Sequence, residues 1–405
     1  MDMHSRNQYL KELQQKYFMS RLRKERSSIL DEYCRNTHQN RKYIISKINS
    51  SFSSKPKERK KRKHIYDGYV KAALAEIWEI FDYPCGQRLA PLLKTEVSRL
   101  RQLEEIFICN EVAEKLATIS SATIDRKLKH QREVLHLARK RGGPKPSSLL
   151  YKKVPIRLTE WDTSELGFLE IDLVIHCGSS TLGLYICSLN TVEISSGWWE
   201  AEAIMGKGQD PTFEALKRIR KRAPFEWKGI DSDNGPEFIN HHLINYCEKE
   251  NLEFTRSRPR KKNDNAYIEQ KNWTHVRKVF GYLRYDADEE LILMNSLYEK
   301  ELRLYKNFFS PVMKLKEKER VGGRVKRKYD TPKTPYQRLI ESGKISKEEK
   351  KKLQELYLSL NPAELKRKID ERTHKLYQVY EKKKKKGEPS SFKKQIPRTP
   401  KIAVA

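Results

Sequence analysis

Apolar and polar positions alternate with three different rhythms along this chain. Over the first fifty residues the spacing is helical: Leu10, Leu13 and Tyr17 share one face, and Ile29, Leu30 and Tyr33 mark a second helix. A polar break at Thr37–Gln39 precedes a third stretch, Asn40–Asn49, where the pattern predicts Tyr43, Ile44 and Ile48 inward and Arg41, Lys42 and Lys47 outward. A similar layout recurs in NEVAEKLATISSATIDRKLKHQR. There Val112, Ala113 and Leu116 form an apolar face, a turn follows at Thr118–Ser120, and Ser121 is placed to cap a helix. That helix carries Ile124 and Leu128 inward and Arg126, Lys127 and Lys129 outward.

From residue 168 the periodicity becomes mixed. FLEIDLVIHC and LGLYICSL read as neighbouring buried strands and Thr191–Ser196 as a third. Asp210-Pro211 then opens a helix with Phe213, Leu216 and Ile219 on one side. Phe225–Ser232 is a short strand running into Asp233-Asn234-Gly235. A helix over Pro236–Glu250, a strand over Leu252–Ser257 and a helix over Ala266–Tyr282 complete the order β-β-β-α-β-α-β-α. Helical spacing returns near the end. Ser346 with Glu349 forms a capping box for Lys347–Leu358, and Asn361-Pro362 starts a helix with Leu365, Ile369, Leu376 and Tyr380 on one face.

The predicted fold is therefore multi-domain: all-α units at the N-terminus, a central α/β core with a mixed five-stranded sheet and helices, and a mostly α C-terminal region. Polar or Gly- and Pro-rich breaks at 50–64, 141–148 and 321–335 suggest linkers. The expected segments are 1–50, a basic linker 51–66, 67–140, a linker 141–159, a core 160–290, a basic helical region 291–381 and a disordered basic tail 382–405.

Charge then narrows the partner. The 405 residues carry 84 Lys plus Arg against 54 Asp plus Glu, a formal charge of +30. Residues 1–150 and 281–405 each carry +15, while 151–280 are neutral with 19 bases and 19 acids. Basic flanks around a neutral middle point to a polyanion, most simply nucleic acid. In that light each N-terminal pattern, two helices and a short turn before a basic helix, has the layout of a helix-turn-helix. Arg41, Lys42 and Lys47 in the first and Ser121, Thr123, Arg126 and Lys127 in the second are the candidate DNA contacts; a helical hairpin with a solvated basic face has the same pattern. No run of about 18 apolar residues and no secretory signal is present, and six scattered Cys make no disulfide framework, so a cytoplasmic protein without a membrane partner is expected.

Three acids stand out in the neutral middle. Asp172 lies within an apolar strand, where an unpaired charge is expensive. Asp233 sits at a strand end before Asn-Gly, and Glu269 lies in the first turn of a helix. Sixty residues separate the first pair and 35 the second. Asp231 competes with Asp233, and Asp264 with Glu269. Clustered carboxylates repel unless a divalent cation sits among them, and hard oxygen ligands suit Mg²⁺ or Mn²⁺.

The segments FLEIDLVIHCG, GIDSDNGPEF and DNAYIEQKNWTHVRK resemble the three catalytic blocks of the DDE transposase and retroviral integrase superfamily, in particular bacterial insertion-sequence transposases with an integrase-type core. The resemblance covers about residues 160–285. It implies an RNase H-like core, two Mg²⁺ ions for which Mn²⁺ substitutes, and Asp172, Asp233 and Glu269 as the metal-binding, catalytic triad. It further implies DNA strand cleavage and transfer by direct transesterification at the ends of a mobile element, a homodimer or larger assembly on double-stranded DNA, and action at the bacterial nucleoid. No P-loop motif is present, consistent with no nucleotide cofactor. The chain departs from retroviral integrases in having no Cys-x-x-Cys or spaced His pair for their zinc module; His241-His242 read as exposed.

Around the acids, Arg258, Arg260, Lys261, Lys262, Lys271, Arg277 and Lys278 are candidates to hold phosphates, and Asn272 shares a helical face with Glu269. Trp198-Trp199 either stacks on an unpaired base or packs internally. The competing functions are an RNase H-like nuclease without joining activity and a catalytically inactive, transposase-derived DNA-binding regulator.

Overall fold

A computed structural model describes residues 1–49, 65–135, 165–233, 235, 237–257, 265–321 and 324–386, divided between two units, Met1–His64 and Ile65–Ala405. In the first unit, α1 (Met3–Met19), α2 (Arg23–Thr37) and α3 (Arg41–Ile48) enclose Leu10, Leu13, Leu30, Tyr33, Ile44 and Ile48. Asn40 caps α3 by accepting from the Lys42 N–H. Tyr43, expected inward, is 51% exposed. Ile44 and Ile48 are four apart and share a face, which turns Tyr43 about 100° away from it.

The second unit begins with α4 (Gly68–Ile80), α5 (Gly86–Gln102), α6 (Asn110–Thr118), α7 (Ser121–Lys127) and α8 (Lys129–Val134). The cap of α7 is Ser120, one residue before the expected Ser121; its hydroxyl accepts from the Thr123 N–H. The start of α5 lies against α7 so closely that a Cβ on Gly86 would stand 2.2 Å from the Ser121 carbonyl oxygen. Asp125 accepts from the Gly86 N–H at 2.8 Å and closes that contact.

The core sheet contains β1 (Phe168–Ile175), β2 (Ile186–Glu193), β3 (Trp199–Met205), β4 (Gly229–Ser232) and β5 (Glu253–Arg256) in the order β3-β2-β1-β4-β5. The first three form an antiparallel meander, and β4 and β5 run parallel to β1. This is the mixed five-stranded sheet the sequence predicts, with one correction: β2 extends to Glu193 and the third strand is Trp199–Met205. Glu200 and Glu202 disguise that strand as half-solvated. Both are 2% exposed, and Arg222, Arg303 and Arg218 neutralise them.

Helices α9 (Gln209–Arg222) and α10 (His241–Lys249) cover one face through Leu169, Ile171, Leu189, Ile230, Leu216, Ile219 and Leu243. Against the other lies α11 (Ala266–Lys271), which continues through a π-helical stretch, Asn272–Arg277, into α12 (Lys278–Phe280). After α13 (Asp288–Leu297), a second π-helical stretch, Tyr298–Leu302, leads into α14 (Arg303–Phe309).

Where a linker was expected at 321–335, residues pair instead as the hairpin β6 (Leu315–Val321) and β7 (Arg324–Tyr329). The chain closes with α15 (Pro335–Ser342), α16 (Lys347–Ser359) and α17 (Pro362–Lys386). Thus the lysine run Lys382–Lys386, expected to be disordered, is helical; residues 387–405 lie outside the described residues. The C-terminal helices pack on α5: the Arg99 guanidinium lies 4.4 Å from the Tyr357 ring centroid, Tyr357 donates to Glu96 at 2.6 Å, and Arg367 pairs with Glu105 at 2.7 Å. No described helix is long and apolar enough to cross a membrane.

Candidate active site

Parallel pairing of β1 with β4 builds the site. Glu170 lies beside Asp231 and Ile171 beside Ser232. Continuing that register brings Asp172 alongside Asp233, the first residue beyond β4. The two pairs then separate by depth. Glu170 accepts from the Ile268 N–H at 2.9 Å, and Asp231, wholly buried, accepts from the Thr255 hydroxyl at 2.5 Å. Asp231 is thus committed inside the sheet, and of the two rivals Asp233 is the one brought to Asp172.

A chain of amides holds Asp172. The Asn272 amide donates to Asp172 Oδ2 at 2.6 Å, and the Leu173 N–H donates to Oδ1 at 2.8 Å. The Asn272 oxygen accepts from Asn190, whose own oxygen accepts from the Trp199 indole N–H. Asn190 stands opposite Asp172 in the β1–β2 register, so strand pairing supplies the relay's first link. Asn272 begins the π-helical stretch, a widened turn of a kind frequent at functional sites.

Asp233 accepts from the Gly235 N–H at 2.9 Å. A Cβ on Gly235 would stand 2.9 Å from Asp233 Oδ1 and 2.8 Å from Glu237 Oε2, so a larger residue there would displace these two carboxylates. Burial, and next the charge of Asp233, raise the Asp172 carboxyl to about 7 against the bonds from Asn272 and Leu173; Glu237 adds a smaller push. Burial likewise raises Asp233, opposed by the Gly235 N–H and the Lys207 charge. Glu237 is raised by burial and by Asp233. These carboxyls therefore share one electrostatic neighbourhood, deficient in positive charge. Its hard oxygen donors fit a divalent cation.

Glu269 is not gathered with them. It lies exposed on α11, one helical turn before Asn272. Among the described residues, no group of three or more His, Cys, Asp and Glu side chains stands close enough to hold one metal ion. Asp264 lies outside the described residues, as do Arg258, Arg260, Lys261 and Lys262.

The candidate phosphate contacts are placed unequally. Lys271 is buried, 3.3 Å from His275 Nε2, and burial lowers its ammonium to about 7; it presents no charge to solvent. Arg277 donates to the Ile175 carbonyl at 2.7 Å, and Lys278 pairs with Asp82 at 2.8 Å. In the helical units, Arg41 pairs with Asp31, Lys47 donates to Asn7 at 2.6 Å and Lys127 to the Tyr66 carbonyl at 2.6 Å. Ser121 is half-buried, and Thr123 accepts from Arg126 and from Ser120. Lys42 and Arg126 are exposed, as are His241 and His242. Trp198 and Trp199 are 3% and 0% exposed, so the pair packs internally and stacks on no base.

Sequence reasoning missed Glu237, Asn190 and Trp199 as parts of this neighbourhood. Glu237 stood within the quoted GIDSDNGPEF block. Asn190 could be found only by knowing which β2 residue faces Asp172.

No protein-family model matches the chain. Among solved structures it is similar to the catalytic core domain of BIV integrase, 18% identical, with 43% of this chain and 94% of that chain covered and a TM-score of 0.30. It is also similar to the HTLV-2 integrase catalytic core domain in complex with magnesium, in its dimeric form, 13% identical over 36% of this chain and 89% of that one, TM-score 0.27. The simian T-cell lymphotropic virus intasome in complex with PP2A regulatory subunit B56 gamma is 14% identical over 53% and 70% of the two chains, TM-score 0.30. Sequence similarity is closer and longer to a curated bacterial relative, 35% identical over 323 residues that make up 79% of this chain and 91% of the relative. On that match the chain belongs to the family of the uncharacterized protein y4rM of Sinorhizobium fredii.

Proposed function

We propose that this protein is a DDE-type polynucleotidyl transferase, a transposase that binds the ends of its own mobile element and cleaves and joins DNA strands. One observation carries the reading. Asp172 and Asp233 stand just past the last paired residues of neighbouring parallel strands, half-buried and each anchored by N–H donors, where burial raises both and the charge of Asp233 raises Asp172 further. Such a pair is unfavourable in isolation and is relieved by a cation.

Asp172 and Asp233 would hold Mg²⁺ or Mn²⁺, with Glu269 as the third carboxylate by resemblance. Bound there, divalent cations supply charge neutralisation and Lewis-acid polarisation of phosphoryl oxygens. The chain's own contribution is positional. The Trp199–Asn190–Asn272 relay fixes the Asp172 rotamer, and the Gly235 N–H fixes Asp233. Lys42 and Arg126, exposed on α3 and α7, are the bases best placed in their helical units to hold phosphate. Pairing two element ends calls for at least two copies of the chain on DNA.

The test uses DNA carrying the element's terminal inverted repeats, with Mg²⁺. Asp233→Asn should abolish cleavage and leave end binding within about twofold; retained cleavage removes Asp233 from the site. A pre-cut end offered with a plasmid target separates joining from hydrolysis alone. The exposed, separate position of Glu269 favours a second reading, a DNA-binding regulator without catalysis. Absence of any Mg²⁺-dependent cleavage by the unmodified chain would select it.

A further inference from the structure

The hairpin β6–β7 has an unusual division of charge. Residues 315–329 hold seven Lys or Arg and two Glu, and every side chain over 315–320 and 325–329 is exposed. In the ladder, Glu317 faces Lys328 and Glu319 faces Lys326, while Lys318 faces Arg327 and Arg320 faces Val325. Opposed residues share a face and successive residues alternate. One face is thus mostly compensated, two acids facing two lysines with Lys328 Nζ 3.3 Å from Glu317, and Arg324 opposite Val321 leaving it one cation in excess. The other sets two cations directly opposite each other, adds Arg320, and carries no acid. Like charges in opposition weaken a ribbon, and a two-stranded hairpin alone in water is marginal.

Its root, by contrast, is firmly built. Asp330 accepts from the Lys314 N–H at 2.7 Å and pairs with Arg338 at 2.7 Å, with both side chains of the ion pair mostly buried. Arg338 also donates to the Val312 carbonyl at 2.9 Å, and Val312 bridges to Lys333. The Lys314 ammonium donates to the Ser195 carbonyl in the β2–β3 turn. The ribbon is therefore anchored to the core sheet and to α15, while its cationic face stands in solvent.

We propose that this ribbon is a DNA-gripping arm, whose Lys318, Arg320 and Arg327 face lies against the phosphates of duplex DNA. A two-stranded ribbon is narrow enough to follow or enter a major groove, and phosphate supplies the countercharge the face lacks. The assignment rests on the reading of DNA as substrate and adds a contact outside the helical units and the carboxylate site.

Binding of the full chain to a fluorescently labelled random-sequence duplex, measured by anisotropy over a salt series, tests it. The triple substitution Lys318→Ser, Arg320→Ser and Arg327→Ser should make the slope of log affinity against log salt shallower by roughly 2–3, since each phosphate contact contributes about 0.9. Affinity near 0.1 M salt should fall about tenfold or more. Glu317→Gln with Glu319→Gln, on the compensated face, should leave the slope no shallower. Arg327→Gln alone should shift the slope by roughly 1, which keeps the test decisive if the triple variant folds poorly. An unchanged slope in these variants overturns the arm, including the outcome in which the face serves an acidic protein. If the unmodified chain binds no duplex, the DNA reading itself falls; if it binds and cleaves while the arm variants match it, only the arm falls.

Discussion

The two faces of the central sheet are made from the same strands and solve opposite problems. On β1, Leu169 and Ile171 face one way and pack with Leu189, Ile230 and the apolar sides of α9 and α10. Glu170, Asp172 and His176 face the other, beneath the continuous run from α11 to α12. The first face is held by undirected apolar burial. On the second, named donors meet the half-buried carboxylates of Asp172 and Asp233, leaving their repulsion as residual strain. The difference teaches where function can sit: an aliphatic face tolerates no charge, whereas a donor-rich face can keep two carboxylates close.

Substitutions that exchange the character of the faces test this contrast. The largest effect is expected from Asp172→Asn. Mg²⁺-dependent cleavage should fall by at least about a thousandfold, while stability rises by on the order of 1–2 kcal/mol at pH 8 as a poorly solvated charge, repelled by Asp233, is removed. The gain should shrink toward pH 4, because a carboxyl raised when folded destabilises the fold as pH climbs from its unfolded value of 3.8 through about 7. Urea unfolding at both pH values reads it; a destabilised variant at pH 8 would contradict the repulsion.

Ile171→Ala, on the aliphatic face, should act through the fold instead. Its cost is about 2–4 kcal/mol in urea unfolding, with cleavage per folded molecule little changed. Equal stability would show that the face is less tightly packed than its burial implies.

A subtler probe is acid. Burial, and then the Arg277 charge, lower the His176 imidazole to about 3, from an ordinary value of 6.5. The folded state therefore holds it neutral while the unfolded state protonates, so its stabilisation is present above pH 6.5 and lost as pH falls toward 3. Between pH 6.5 and 4 this amounts to about 3 kcal/mol. His176→Gln should flatten that part of the pH–stability curve; an unchanged slope would place the acid sensitivity elsewhere.

Much of the core was legible because alternation and helical spacing are local signals. Strands β1, β4 and β5 and helices α9 and α10 occur in the stretches the pattern predicts, although β4 starts four residues after the expected Phe225 and α10 five residues after the expected Pro236. β3 escaped because Glu200 and Glu202 read as solvent-facing, although arginines far along the chain neutralise them. The ribbon escaped because its residues are polar on both faces, and alternation cannot be seen without an apolar side. Tyr43 and the cap at Ser120 were misplaced by a single residue each, the error that local pattern leaves at an element's edge.

By itself, then, the sequence determined the acids, their intervals, the parity that sets Glu170 and Asp172 on one face, and the excess of basic charge in the flanks. These follow from residue identity and from periods of 2 and 3.6. Tertiary structure decided which acids meet. Asp172 and Asp233 are neighbours because parallel β1–β4 pairing closes a gap of 60 residues. Asp231 is spent on Thr255, and Glu269 stays exposed on α11. It likewise decided which bases are available, burying Lys271 while exposing the cationic face of the ribbon. Proximity between distant segments and burial of charge are properties of packing, and no local spacing encodes them.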